Sequence, residues 1–364
     1  MDTDCRLPER QGIAAATRLW LHDNLFSGIW NTLLTLICGA AAIWMVTGGL
    51  RWAVIDAVPF SGTLEDCRAA EGACWAFLRE KFALILTGTY PQAERSRAWL
   101  ASGLITLATV AAAFVPMRLW VRAAILTGAA IVSYGLLRGG FAGMPLVESA
   151  RWNGLPLILF LSVFTLVAAF PLGVALALTR MMGHGVPQRL AIAFIEGVRA
   201  IPMVAVLFAG VFILPLAAPQ GRTIEPVLAI LIVLTFFHAA YLAEDVRAGL
   251  QSLPAGQAEA ASSLGLSAGQ RIRLIILPQA LRAAVPGITN TVIGGFKDTS
   301  LVAIIGMHDL LSTARMAYSD PLWQAYALEA NLAIGLFYFV ICWAISERGR
   351  SLESRDMRAA SPIA

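Results

Sequence analysis

The sequence predicts an all-α integral membrane protein with about eight transmembrane helices. Three observations lead there. Of 364 residues, 58% are hydrophobic and only 14% charged, against roughly 25% charged in an ordinary soluble domain. The mean hydropathy is +0.71, and the apolar residues run in stretches of about 20, the length that crosses a bilayer. Those stretches are continuous rather than short and alternating. That selects helices over an outer-membrane barrel, because lipid offers no partner to an unpaired backbone group.

In chain order the predicted spans are Phe26 to Leu50, Ala98 to Val115, Leu119 to Leu137, Gly154 to Leu178, Leu190 to Leu216, Pro226 to Ala243, Pro286 to Gly306 and Leu328 to Ile345, each bounded by charge, Pro or Gly. The first has a longer apolar core than a signal peptide and is expected to be retained. Arginine placement sets the orientation. With the amino terminus inside, the cytoplasmic segments collect Arg6, Arg10, Arg18, Arg118, Arg122, Arg180, Arg189 and many more, while the short outer loops hold only Arg138, Arg151, Arg222 and Arg315. The long outer loop from Arg51 to Arg97 balances six basic residues with six acidic ones. Both termini are therefore expected in the cytoplasm. The net charge of +4 needs no nucleic acid to explain it, since basic residues flanking the spans give the same excess.

Cysteine and histidine usage argues against metal or redox chemistry. Cys5, Cys38 and Cys342 are isolated, the four histidines are scattered, and only Cys67 and Cys74 are near neighbours. That pair lies in the long outer loop, where an oxidising compartment would allow a disulfide; two thiols packed as small hydrophobes fit the sequence equally well. The two lysines, Lys81 and Lys297, sit in no phosphate-binding loop, because "GGFKDT" places Phe296 where glycine is required. No hydrolase or metal motif is present either. The chain is expected to be no enzyme, to hold no cofactor, and to take its energy from a partner or an ion gradient.

The longest inner loop, Glu244 to Val285, contains "EAASSLGLSAGQRIRLIILPQ" from Glu259 to Gln279. Pro254 suits a first helical position, and "AGQAEAASSL" favours helix up to Gly265, a left-handed cap. Ser267 and Gln270 form a capping-box pattern that starts a second helix. Ile272, Ile275 and Ile276 line one side of it, with Arg271 and Arg273 facing away. Ala258, Ala260, Ala261, Ser262 and Ser263 allow another surface to approach closely, and Glu259 offers one charge. Pro278 is expected to bend the chain toward the next span. Helices this short need something to pack on, so the loop reads as a docking knob or as an ordinary solvated connection.

Charges within the spans are the other candidate functional residues. Lys297 and Asp298 lie in the seventh span, where an ionised group costs at least about 2.5 kcal/mol unless paired or solvated. They imply a polar cavity, a subunit interface or an ion pair between helices. Glu196 and Arg199, three apart on the fifth span, can face one another near a bend at Pro202. Glu244 and Arg247 repeat that spacing as an interface charge cluster. His238 and Tyr241 suit a cavity wall or a bond to a neighbouring helix.

Glu259-Ala260-Ala261, Gly265 and Ile275-Ile276-Leu277-Pro278 resemble the EAA signature of permease subunits of ABC importers. Gln257, Gln279-Ala280-Leu281-Arg282, "EGVRAIP" from Glu196, "YLAEDVRAGLQSLP" from Tyr241 and "NTVIGGFKDTSL" from Asn290 are similar to the branch importing polar amino acids. This resemblance covers about Asn153 to Glu353. The front of the chain, including "GACWAF" at Gly72 to Phe77, resembles the longer permeases of general L-amino acid transporters. The family usually has glycine where Ala200 and Ala248 stand here.

The resemblance implies a C-terminal five-helix type I importer core and an EAA loop that forms a coupling helix. Glu259, Ala260, Ala261 and Gly265 would form the knob docked on the ATPase, with Pro278 at the bend. It also implies cytoplasmic ABC ATPase subunits, a second homologous permease, a periplasmic amino acid-binding protein and residence in the bacterial inner membrane. The expected plan is a cytoplasmic segment over 1–25, helices with a periplasmic loop (51–97) over 26–150, the permease core with its EAA loop (244–285) over 151–350, and a tail over 351–364. The competing expectation is an ion-coupled secondary amino acid transporter using Lys297, Asp298 and Glu196.

Overall fold

The apolar stretches become helices almost throughout. A computed structural model describes residues 13–217, 224–254 and 256–360, which form sixteen α-helices with short π and 3-10 turns between them. Six helices are long and apolar enough to span a membrane, and eight spans result when two bent helix pairs each count as one.

Met1–Arg79 and Glu80–Ala364 form two separate units. In the first, α1 (Ile13–Leu25) precedes α2 (Ile29–Leu50), which continues through a π turn at Arg51–Ile55. None of α2 is buried, as suits a helix surrounded by lipid. After it the chain folds into a small lobe around α3 (Leu64–Ala69), whose first turn is closed by a Thr63–Asp66 capping box. Cys67 and Cys74 are joined by a disulfide with Cα atoms 5.3 Å apart. Val58 binds the backbone of Ala73 and Trp75 (2.8 and 3.0 Å), and Trp75 stacks with Phe60. Gly72 is needed here, since a Cβ would fall 2.2 Å from the Asp56 carbonyl.

The second unit is built around α10 (Pro226–Gln251), the most buried of the spans. It packs along α7 (Gly154–Met182) through small residues: Ala169, Ala177, Ala239 and Ala243 are fully buried. A Cβ on Gly173 would meet Leu242 at 2.8 Å and the Ala239 carbonyl at 3.0 Å. Without a hydrophobic drive between helices in lipid, such close backbone approach is what holds spans together. Helices α5 (Arg95–Phe114) and α6 (Leu119–Arg138) close the other side of α7, around a core containing Ile105, Leu137, Trp152, Leu157 and Phe160. The remaining helices are α4 (Ala76–Thr87), α8 (Val186–Ala200), α9 (Met203–Phe208), α11 (Gly256–Ser263), α12 (Ala268–Arg271), α13 (Leu277–Ala283), α14 (Val285–Asp298), α15 (Leu310–Tyr318) and α16 (Ala327–Ala360).

Four expected boundaries move. The fifth span is not continuous: α8 and the segment Met203–Leu216 meet at 108°. Pro202 lacks a backbone N–H and drives Ile201 into an extended conformation (φ −98°, ψ 133°), which no helix tolerates. The sixth span runs on to Gln251, so the segment that follows it begins as helix. The seventh ends as a 3-10 turn, Thr299–Ile305, closed by left-handed Gly306. The last helix continues to Ala360.

Candidate functional site

The turn at Pro202 opens a cavity of about 590 Å³ between the end of α8, α10 and α14. Its wall combines apolar Ile201, Met203 and Phe237 with Arg199, His238, Tyr241, Asp245, Asn290, Thr291 and Asp298. A recess that combines apolar walls with convergent polar groups suits a small polar molecule. Glycines on α14 seat the polar side chains of α10. A Cβ at Gly287 would lie 2.7 Å from Asp245, and one at Gly295 would lie 3.0 Å from His238 Nε2. Thr291 Oγ1 donates to Asp245 Oδ2 at 2.6 Å. His238, only 2% exposed, stands 3.3 Å from Asp298 Oδ2. The guanidinium of Arg199 sits over the Tyr241 ring, 5.5 Å from its centre.

A ladder of charge runs behind this wall. Arg180 on α7 pairs with Glu196 (2.8 Å) and Glu244 (3.5 Å). Arg199 also reaches Glu244 (3.5 Å), and Arg247 Nε donates to it at 2.9 Å. The expected partnership of Glu196 with Arg199 is thus replaced. Arg180, from the preceding helix, takes Glu196, and Arg199 turns toward the cavity and Glu244. Side chains three apart on one helix are within reach, but a partner presented across the α7–α8 turn competes for the same carboxylate. Asp298 likewise finds His238, sixty residues away, while Lys297 on the next position is exposed.

The segment between α10 and α14 folds as a knob. Helix α11 ends with Gly265 in the left-handed region (φ 75°), and Ser267 and Gln270 cap α12 reciprocally (Gln270 N to Ser267 Oγ 3.4 Å, Ser267 N to Gln270 Oε1 2.9 Å). Arg271 does not face away: its Nη1 donates to Ser262 Oγ at 2.8 Å and ties the two helices together. Glu259, Ala260 and Gly265 are exposed, whereas Ala261 is buried. Leu264 at the tip is 79% exposed. Pro278 lies in the first turn of α13, behind a π turn at Ile272–Ile276. There its missing N–H is accommodated, so the 61° bend into the span falls instead at Ala284, between Ala283 and Val285.

The knob rests on the spans through one close contact. A Cβ at Gly249 on α10 would meet the Ala280 carbonyl at 2.3 Å and Ala284 Cβ at 2.9 Å. Around it Ala177, Ile195, Ala243, Val246, Leu250 and Ala280 form a buried cluster. Sequence reasoning did not single out Leu264, Asp245, Asn290, Thr291 or the role of Arg180. Only the unusual exposure of a leucine beside a glycine cap, or a helical wheel of α10, could have pointed to any of them.

The chain is similar in sequence to known proteins over most of its length. Residues 169–346 match the family described as the binding-protein-dependent transport system inner membrane component. The inner membrane amino-acid ABC transporter permease protein YhdY of Escherichia coli (strain K12) is 38% identical over 350 residues, covering 94% of each chain. The glutamate/glutamine/aspartate/asparagine transport system permease protein BztC of Rhodobacter capsulatus is 32% identical over 93% of each chain. Among solved structures, an amino acid ABC transporter with histidines aligns with 54% of this chain and 90% of its own, at 29% identity and TM-score 0.48. Sustained over nearly the whole length, these identities show that the chain is a multi-pass inner membrane protein belonging to the permease components of ABC importers.

Proposed function

We propose that the chain is the transmembrane permease subunit of an importer that moves L-amino acids across the inner membrane, with ATP hydrolysed by partner subunits. The observation that carries this reading is a polar cavity lined by α10 and an exposed knob that directly follows the end of the same helix. Arg199 and Asp245 offer a cation and an anion to the two charged groups of an amino acid. Asn290 and Thr291 add neutral hydrogen-bonding groups. Six residues beyond Asp245 the helix ends at Gln251 and feeds the knob, so displacement of the knob moves the cavity wall through the Gly249–Ala280 contact.

In this reading Glu259, Ala260, Ala261 and Gly265 seat on a cytoplasmic ABC ATPase, and Pro278 stiffens the start of α13 above the bend. A second permease subunit covers the exposed Lys297, which lipid would not accommodate, and a periplasmic binding protein delivers the substrate. The termini lie in the cytoplasm, and the permease core occupies 151–350. The names of the relatives support amino acids as the cargo. The test is uptake of labelled glutamine by the reconstituted complex with binding protein. ATP-dependent uptake that survives collapse of ion gradients is expected; gradient-driven uptake without ATP would favour an ion-coupled transporter instead.

A further inference from the structure

The two ring nitrogens of His238 have different neighbours. Nδ1 lies 2.7 Å from the Leu234 carbonyl oxygen, which can only accept, so Nδ1 carries its hydrogen. Nε2 then faces Asp298 Oδ2 at 3.3 Å. A neutral imidazole would turn a lone pair toward a carboxylate, two acceptors with nothing between them, in a wall where His238 is 2% exposed. The contact is satisfied only if one proton sits between the two groups, on the imidazole or on the carboxyl. Wherever it sits, the pair carries no net charge.

The rest of the wall balances in the same way. The other charged lining groups are Arg199 and Asp245. Behind the wall three arginines, Arg180, Arg199 and Arg247, meet two carboxylates, Glu196 and Glu244, so one positive charge is left over, and Arg199 is the arginine of the three that lines the cavity. The cavity therefore presents one fixed cation, one fixed anion and a neutral His238–Asp298 pair. We infer that His238 is a specificity-determining residue: by neutralising Asp298 it restricts the cavity to zwitterions whose side chains carry no net charge. The inference rests on the reading of this cavity as the amino acid path. An unbalanced Asp298 would attract a cationic side chain and repel an acidic one.

The test is equilibrium binding of labelled glutamine, glutamate and lysine to the assembled permease–ATPase complex in nanodiscs, without the binding protein, so that the cavity alone selects. Wild type is expected to prefer glutamine. His238→Ala leaves Asp298 unneutralised and should raise the lysine-to-glutamine ratio at least about tenfold, the effect of a single added charge at close range. Adding Asp298→Asn to His238→Ala removes that charge and should restore the original ratio, which repair of a packing defect would not do. If His238→Ala weakens all three ligands equally, or if Asp298→Asn fails to reverse the shift, the inference is wrong while the amino acid reading stands. If wild type binds none of the three, the amino acid reading itself falls, and this inference with it.

Discussion

Leu264 is the residue at which docking and folding separate most cleanly. At 79% exposure it contributes almost nothing to the fold of the chain, yet it sits at the tip of α11, one residue before the left-handed Gly265. Truncation to alanine removes about three methylene equivalents, at about 0.8 kcal/mol each when fully buried. Because only a fifth of the side chain is covered within the chain, the expected loss of permease stability is about 0.5 kcal/mol or less. If the leucine is buried on the ATPase, the docked state loses about 2 kcal/mol, roughly a thirtyfold weakening in Kd. The assay pairs thermal unfolding of the purified permease with titration of fluorescently labelled ATPase onto permease in nanodiscs. An unchanged Tm with a tenfold to fiftyfold rise in Kd is the expected result. A Kd within twofold of wild type would show that the knob does not dock through this tip, and a large fall in Tm would show that Leu264 is covered within the permease.

Other predictions follow from single contacts. Gly249→Ala sets a methyl 2.3 Å from the Ala280 carbonyl and should cost about 1–3 kcal/mol, read as a lower Tm, whereas Gly197→Ala, with nothing within 4 Å, should be neutral. Replacing Cys67 and Cys74 by alanine opens the loop of the small lobe, and about 2.5 kcal/mol of its local stability should go by loop-entropy reasoning, visible as faster proteolysis between Asp56 and Trp75 with the spans intact. The Lys81 ammonium, donating to Asp320 at 2.7 Å, and the Leu322 N–H at 3.0 Å hold the Asp320 carboxyl below the usual carboxylate range. A depressed carboxyl stabilises the fold above its unfolded pKa, and that contribution fades as pH falls through the lower folded value. Lys81→Met should therefore lower Tm at pH 7 and converge with wild type in the acid range below about pH 4.

Much of the fold was legible because lipid imposes a simple rule of length and apolarity, and the spans from Gly154 and Pro226 follow it. What was missed were two-residue events inside apolar stretches. Hydropathy averages over Ile201–Pro202 and over Ala284, so the 108° and 61° turns vanish into continuous runs. The caps of the knob were legible because caps are local: Gly265, Ser267 and Gln270 act within a few residues, whereas the tie from Arg271 to Ser262 and the bend at Ala284 depend on how the helices pack. The cavity was not, because its partners come from separate helices. His238 meets Asp298 across sixty positions, and Glu196 abandons Arg199 for Arg180 on the preceding span. Such choices depend on which helices pack together, and here that is decided by glycines such as Gly173, Gly249 and Gly295, whose role appears only when the opposing backbone is in place.

The central claim, that the exposed knob couples ATP hydrolysis to the cavity, is tested most directly at Gly265. A Cβ there meets nothing within 4 Å in the chain, so Gly265→Asp acts on the left-handed cap, at about 1–2 kcal/mol, and on whatever docks against it. In liposomes containing the full transporter, ATP-driven amino acid uptake and substrate-stimulated ATPase activity would be measured together for wild type and Gly265→Asp at equal membrane insertion. Loss of both is the expected result. Uptake that continues at the wild-type rate, or that follows an ion gradient without ATP, would contradict the coupling role of the knob.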